Sequence, residues 1–180
     1  YRNKAKYNDD IYVTGNLGDS FTGLQVLRNK IKVQKRIKNY FVNKYYHPNI
    51  QINLTKSLFR YANTSIDISD GLITDLEKMI NKQNFSYVLN KDKVPISKSL
   101  FNLIKIKRLD KSDLISQGDD YQILFTASPA KARIISFTSK NLGIKITKIG
   151  KITSGNKKSI IIDQKGRQMV IKNKGYTHRF

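Results

Sequence analysis

The sequence has no cysteine. That excludes disulfides, thiolate chemistry and Cys-ligated zinc. Its two histidines, His47 and His178, are too few for a metal centre built on imidazole. No apolar run approaches the roughly 18 residues that span a bilayer, and the stretch after Tyr1 has none of the pattern of a signal peptide. Acid is scarce: 13 Asp and Glu stand against 34 Lys and Arg, for a formal charge of +21. Acidic residues are nevertheless bunched. Asp67, Asp70, Asp75 and Glu77 fall within eleven positions, and Asp119 and Asp120 form a second group.

What is present suits one domain, or one with a small appendage: 180 residues at 39% hydrophobic content. A chain that opens without Met, inside what reads as a continuing segment, is expected to be a fragment of something longer. The positive charge has two readings. Lys and Arg that release counterions from phosphates would make a nucleic-acid binder. Alternatively the lysines are compositional, spread over every solvated face. One dense basic tract, residues 28–44, stands out from otherwise scattered positions.

The local patterns predict strands over residues 11–14, 64–68, 85–89, 121–125, 144–149, 159–162 and 168–171, from β-branched and aromatic runs. Helices are predicted from Asp19 or Ser20 to about Asn29, with Phe21, Leu24, Val26 and Leu27 inward, and over 34–46, 52–62, 70–82, 97–105, 112–117 and 130–141. The second stops at His47-Pro48, because a residue before proline is pushed out of the α region. Strands and helices mix without strict alternation. That points to an α+β fold with a mixed, largely antiparallel sheet and helices mainly on one side.

Residues 65–72, S-I-D-I-S-D-G-L, organise the chain. A strand ends and a helix begins where Asp67, Ser69 and Asp70 gather. Two carboxylates at a strand mouth suit a hard cation such as Mg²⁺, and a helix N-terminus favours phosphate. Ordinary capping by Ser69 or Asp70 fits the same residues. Gly118-Asp119-Asp120-Tyr121 could hold a metal or a polar substrate; the plainer reading is a turn with two solvated acids. Gly15-Asn16-Leu17-Gly18-Asp19 lacks the Gly-Lys-Ser/Thr ending of a phosphate loop, so a strand–helix turn describes it better. The closing Gly175-Tyr176-Thr177-His178-Arg179-Phe180 is a terminal aromatic cluster that could pack on the core or stack on a flat ring.

Taken in order, these motifs resemble thiamine-monophosphate kinase. The likeness is carried by Asp9-Asp10-Ile11-Tyr12-Val13-Thr14-Gly15, Leu17-Gly18-Asp19-Ser20 with Gly23-Leu24, Tyr46-His47-Pro48, Ile66 to Leu72, Gly118 to Tyr121 with Leu124-Phe125, and Gly175-Tyr176 with His178 and Phe180. It runs from about Arg2 to the C-terminus. Aminoimidazole ribonucleotide synthetase, selenophosphate synthetase and a hydrogenase-maturation protein share the two-domain plan. The resemblance implies the C-terminal domain of a cytoplasmic kinase that moves the γ-phosphoryl of ATP to thiamine monophosphate with Mg²⁺. Its N-terminal domain, which carries most of the Mg²⁺-binding acids, would precede Tyr1. The domain alone is expected to be inactive, and the full-length protein a homodimer. Carried over residue by residue, Asp67 and Asp70 match Mg²⁺ ligands, Arg2 and Ser69 match ATP contacts, and Asp119 and Tyr176 match contacts to the phosphate substrate. No residue of this domain is implied as a catalytic group. The family pattern G-E-D-Y-E reads here with Asp119 and Gln122 in place of both Glu, and Arg179 is inserted before Phe180. The shorter Asp119 puts its reach to substrate in question. Apart from this resemblance, a non-catalytic binding module of the same fold and a basic nucleic-acid binder remain as alternatives.

Overall fold

The computed structural model describes residues 2–156 and 158–170. They contain one sheet of seven strands: β1 Asp10–Thr14, β2 Thr64–Asp67, β3 Phe85–Asn90, β4 Ile123–Ala127, β5 Ile146–Ser154, β6 Ile160–Ile162 and β7 Gln168–Met169. Their order is β2-β4-β1-β5-β3-β6-β7, antiparallel throughout except where β3 runs parallel to β6. The α+β class and the mixed, mainly antiparallel sheet are as expected. The last predicted strand is seen as Gln168–Met169, and Ile171 lies outside the described residues.

Helices cover both faces of the sheet rather than mainly one. Side chains alternate along a strand, and in β1 and β4 both sets are apolar. Ile11, Val13 and Leu124 join the core under Leu72, Ile73, Leu76, Met79 and Ile80 of α4 (Leu72–Ile80). Tyr12, Phe125 and Ala127 face the other way, against Ile135 of α7 (Ala132–Leu142) and Tyr61. There Tyr12 and Phe125 stack at 5.2 Å. Strands apolar on both faces need cover on both, and the alternation rule alone does not say so.

The remaining helices form a third cluster: α1 (Asp19–Leu27), α2 (Lys35–Tyr46), α5 (Lys98–Lys107) and α6 (Lys111–Ile115), closed around Phe41, Leu100, Leu103 and Leu114. The two longest-packed members, α1 and α2, touch closely at Gly23, where a Cβ would sit 2.2 Å from the Phe41 carbonyl oxygen. That contact turns α1 differently from the sequence expectation. Its buried positions are Asp19, Ser20, Thr22, Gly23 and Val26, while Phe21, Leu24 and Leu27 are half-buried. The helix expected over 52–62 shrinks to a 3₁₀ turn and α3 (Thr55–Leu58), since Ile52 and Phe59 stay exposed and give no apolar stripe to bury. Among the described residues no helix is long and apolar enough to cross a membrane.

Candidate functional site

Topology fixes where the polar motifs meet. β1 and β2 both run antiparallel to β4, so they are parallel to each other. Their C-terminal ends, and the segment that enters β4, therefore lie at one end of the sheet. Three connections gather there: residues 15–18 before α1, 68–71 before α4, and 118–122 before β4.

The middle connection fastens to both flanking ones. On the β2 side, the N–H of Ile68 donates to the Gln122 carbonyl at 2.8 Å, Tyr121 N–H to the Ile68 carbonyl at 2.9 Å, and Asp119 N–H to the Ser69 carbonyl at 3.0 Å. The ladder of β2 thus continues into the loops. Gly118 permits it: a Cβ there would lie 1.8 Å from the Ser69 carbonyl oxygen. Asp119 and Tyr121 adopt left-handed backbone, with φ of 67° and 50°. For a tyrosine this is strained, at about 1–3 kcal/mol. It also ends the strand before Tyr121, so β4 starts at Ile123 and not at the predicted residue 121.

On the β1 side, the Asp120 carboxylate accepts from the N–H groups of Gly18 at 2.7 Å and Ser20 at 3.3 Å. It caps α1 from a hundred residues away. Asp120 is buried, and desolvation pushes its carboxyl up to about 7 against the pull of those donors. Asp120 is therefore not one of two solvated turn acids. Two other N–H groups of this turn are also taken: Gly15 donates to the Lys145 carbonyl and Leu17 to that of Pro95. The turn is a strand–helix connection, as the sequence favoured over a phosphate loop. Gln122 is buried beneath it. Its amide accepts from the Thr14 hydroxyl at 2.9 Å and donates to the Asn49 carbonyl at 2.9 Å.

Before α4 the expected capping does not occur. Gly71 is the N-cap, with φ 128° and no side-chain cap. Instead Asp75, in the first turn of the helix, reaches back. Its Oδ2 accepts from the N–H groups of Ser69 (3.0 Å), Asp70 (2.9 Å) and Gly71 (3.1 Å). These donors, which the sequence offered to phosphate, are held by the chain's own carboxylate. Asp75 is 1% exposed, and burial pushes its carboxyl up, opposed by those same donors. Lys78 pairs with the Asp70 carboxylate and lies 3.7 Å from Asp75 Oδ1.

The result is a cleft of about 460 Å³. One side is lined by Ser69, Asp70, Gly118, Asp119 and Tyr121, and the other by Phe21, Leu24 and Arg28 of α1 and its end with Tyr45 of α2. Burial, and then the Asp70 charge, raise the carboxyl of Asp119, so two acids share this space. The structure brings Ser69, Asp70 and Asp119 together. Asp67 ends β2 exposed and is not part of the cleft lining, and Arg2 is exposed near the start of the chain. Tyr176 and His178 lie outside the described residues. Among the described residues no three acidic or histidine side chains converge to hold a metal. Of the two acids matched to a cation, only Asp70 lines the cleft, and its carboxylate is also held by Lys78; a hard cation there would complete its shell from phosphates and water. The two aromatics of the basic tract turn inward: Phe41 is in the core and Tyr40 donates to Asp19 at 2.9 Å; just past the tract Tyr45 lines the cleft and Tyr46 is exposed. Sequence reasoning missed Asp75, Arg28 and Tyr45. Only Asp75 had a visible signal, an acid five residues after the Asp70 of an acid-poor chain.

No protein-family model matches the chain. Among curated proteins it is 36% identical over 178 residues to a thiamine-monophosphate kinase of Buchnera aphidicola subsp. Schizaphis graminum. It is 32% identical over 178 residues to that of Buchnera aphidicola subsp. Acyrthosiphon pisum. Each alignment covers 98% of this chain and 54% of the relative. Among solved structures, AaThiL complexed with AMPPCP and TMP superposes with a TM-score of 0.80 at 26% identity, covering 99% of this chain and 53% of that one. The chain spans about half the length of the curated relatives it matches, and along nearly all of its own length it is similar to thiamine-monophosphate kinases.

Proposed function

We propose that this chain is the C-terminal domain of a kinase that transfers the γ-phosphoryl of ATP to thiamine monophosphate, giving thiamine diphosphate. The observation that carries the reading is the joining of two separate motifs. Backbone bonds between residues 68–69 and 119–122 place Ser69, Asp70 and Asp119 on one cleft. The chain is similar over 98% of its length to kinases of that name. A structural neighbour is complexed with AMPPCP and TMP, which supports a nucleotide and a second ligand in a site of this design.

In this reading Ser69 and Arg2 contact ATP, and Asp119 with Tyr176 contact the acceptor. Asp70 in the cleft and Asp67 at the end of β2 would hold Mg²⁺, which when bound neutralises the crowded phosphates. Phosphoryl transfer is mostly positioning and charge stabilisation, so the work of these residues is to bind and orient. The strained Asp119–Tyr121 segment presents a carboxylate and an aromatic ring to the cleft. Arg28 supplies a fixed positive charge suited to a phosphate ester, while Asp119 suits a cationic ring. The rest of the site then falls to an N-terminal domain of the same enzyme, and a cytoplasmic homodimer of the full-length protein belongs to the same proposal.

The test is formation of thiamine diphosphate from thiamine monophosphate and Mg·ATP. Turnover is expected from the full gene product and not from the 180 residues alone. A full gene product without turnover overturns the kinase reading. Turnover by the short chain overturns the need for a second domain.

A further inference from the structure

We propose that Asp75 is a positioning residue, which sets the Ser69–Asp70 turn for nucleotide rather than stabilising the helix it belongs to. The inference rests on the kinase reading above. Its basis is which donors Asp75 takes. A capping side chain satisfies the orphan N–H groups of a helix's own first turn. Helix α4 begins at Leu72, with Gly71 as its N-cap. Asp75 bonds to Gly71 and to the two residues before it, at 3.1, 2.9 and 3.0 Å. In the reciprocal capping box one acidic side chain returns to the N-cap N–H alone. Here a single oxygen closes a nest of three successive amides outside the helix.

The arrangement is expensive for a helix terminus. A carboxylate 1% exposed must be compensated where it lies, and the compensation comes from the three amides and from Lys78 at 3.7 Å. A serine at the N-cap would end the helix without burying a charge. What the buried charge adds is control of the turn. Ser69 is gripped through both backbone groups, its N–H by Asp75 and its carbonyl by the Asp119 N–H at 3.0 Å. Asp70 is gripped through its N–H. Both backbones are fixed, and both side chains line the cleft. The backbone from which the Ser69 hydroxyl and the Asp70 carboxylate project is thus set by a residue that does not itself line the cleft, while Lys78 pairs with the Asp70 carboxylate directly.

The experiment is steady-state kinetics of the full gene product with Mg·ATP and thiamine monophosphate, for Asp75→Ala, Asp75→Asn and Met79→Ala. Met79 is buried in the same helix and touches the sheet core, so its truncation is a matched loss of stability without a change at the turn. Asp75→Ala is expected to raise the KM for ATP about tenfold to a hundredfold, the scale of misplaced binding groups. Asp75→Asn keeps one oxygen for the same amides and should fall between that value and the wild type. Met79→Ala should lower Tm at least as much and leave the KM for ATP at the wild-type value. If Asp75→Ala does not fold, Asp75→Asn decides: a raised KM for ATP supports the proposal, and a wild-type KM overturns it. An active Asp75→Ala enzyme with a wild-type KM for ATP, losing rate only as Met79→Ala does, also overturns it. A wild type that forms no thiamine diphosphate is a different result, since it removes the kinase reading and this proposal with it.

Discussion

The turn after β1 and the turn after β2 are built alike and used differently. Each leads a strand into a helix at the same end of the sheet, and each offers backbone N–H groups to a buried aspartate. After β1 the aspartate is Asp120, a hundred residues away in sequence. The amides of Gly15 and Leu17 go to carbonyls, and the Gln122 amide is bonded beneath the turn, beside a small cavity of about 90 Å³. After β2 the aspartate is Asp75, only four to six residues away, and the side chains of Ser69 and Asp70 remain on an open cleft. Satisfying the backbone from within the same segment leaves the neighbouring segment free to shape a cavity. Satisfying it from across the fold knits the fold together. The first turn is closed within the fold and the second borders the cleft, in line with a sequence that suits a strand–helix turn in the first and a cation-and-phosphate turn or plain capping in the second.

The contrast depends on the middle segment reaching both turns, and Gly118 is where it breaks most easily. In Gly118→Ala the new Cβ would meet the Ser69 carbonyl oxygen at 1.8 Å. Backbone cannot yield as a side-chain tip can, so the two loops must part. The expected loss is about 3 kcal/mol, the upper range for overpacking, read as a lower midpoint in urea unfolding. The bonds from Asp119 and Tyr121 to the β2 turn should loosen while Asp120 still caps α1. Amide exchange would then quicken at Asp119 and Tyr121 and stay slow at Gly18 and Ser20. Equal loosening on both sides would mean that the two turns are one cooperative unit.

That split also explains what could be read from the sequence. Elements set by local preference were legible: β1 and β3 from their β-branched and aromatic runs, the end of α2 before Pro48, and the end of α7 at Gly143, whose φ is 62°. The gathering of Ser69, Asp70 and Asp119 was legible only through the order of motifs, because 68–122 pairing has no local signal. Asp75 stood out only as one of a bunch of acids, since the direction of its bonds is invisible in one dimension. Tyr121 read as strand because its residue type favours one; the pull of the Ile68 and Ser69 carbonyls holds this segment in left-handed backbone instead. Arg28 and Tyr45 reach the cleft through the close approach of α1 to α2 at Gly23, a tertiary contact.

A smaller effect concerns Asp120 and pH. Asp120 is pushed to about 7 by burial, above the unfolded value near 3.9. A carboxyl raised in the folded state favours folding in its protonated form. Its contribution is therefore full below about pH 4 and is lost as pH climbs through 7. Asp120→Asn cannot ionise, so its Tm should vary less between pH 4 and 7 than that of the parent. The parent should lose stability relative to Asp120→Asn as pH rises across that window. A parallel pair of Tm curves would show that the amides of Gly18 and Ser20 compensate the charge fully, and that this turn is no more strained than its neighbour.

The least effect is expected at Lys78, where the two turns differ in a charge. The β2 turn has a lysine paired with Asp70 and 3.7 Å from Asp75, while the direct partners of the Asp120 carboxylate are backbone amides. Lys78 is about a third exposed, so solvent screens the pair, and Lys78→Met should cost no more than about 1 kcal/mol. Screening predicts further that the loss shrinks as salt is raised toward 1 M, where the Debye length falls to about 3 Å. A loss that is large and indifferent to salt would mean that Lys78 is needed to keep the Asp75 carboxylate ionised. The β2 turn would then hold its shape through an ion pair, and its amide nest would be secondary.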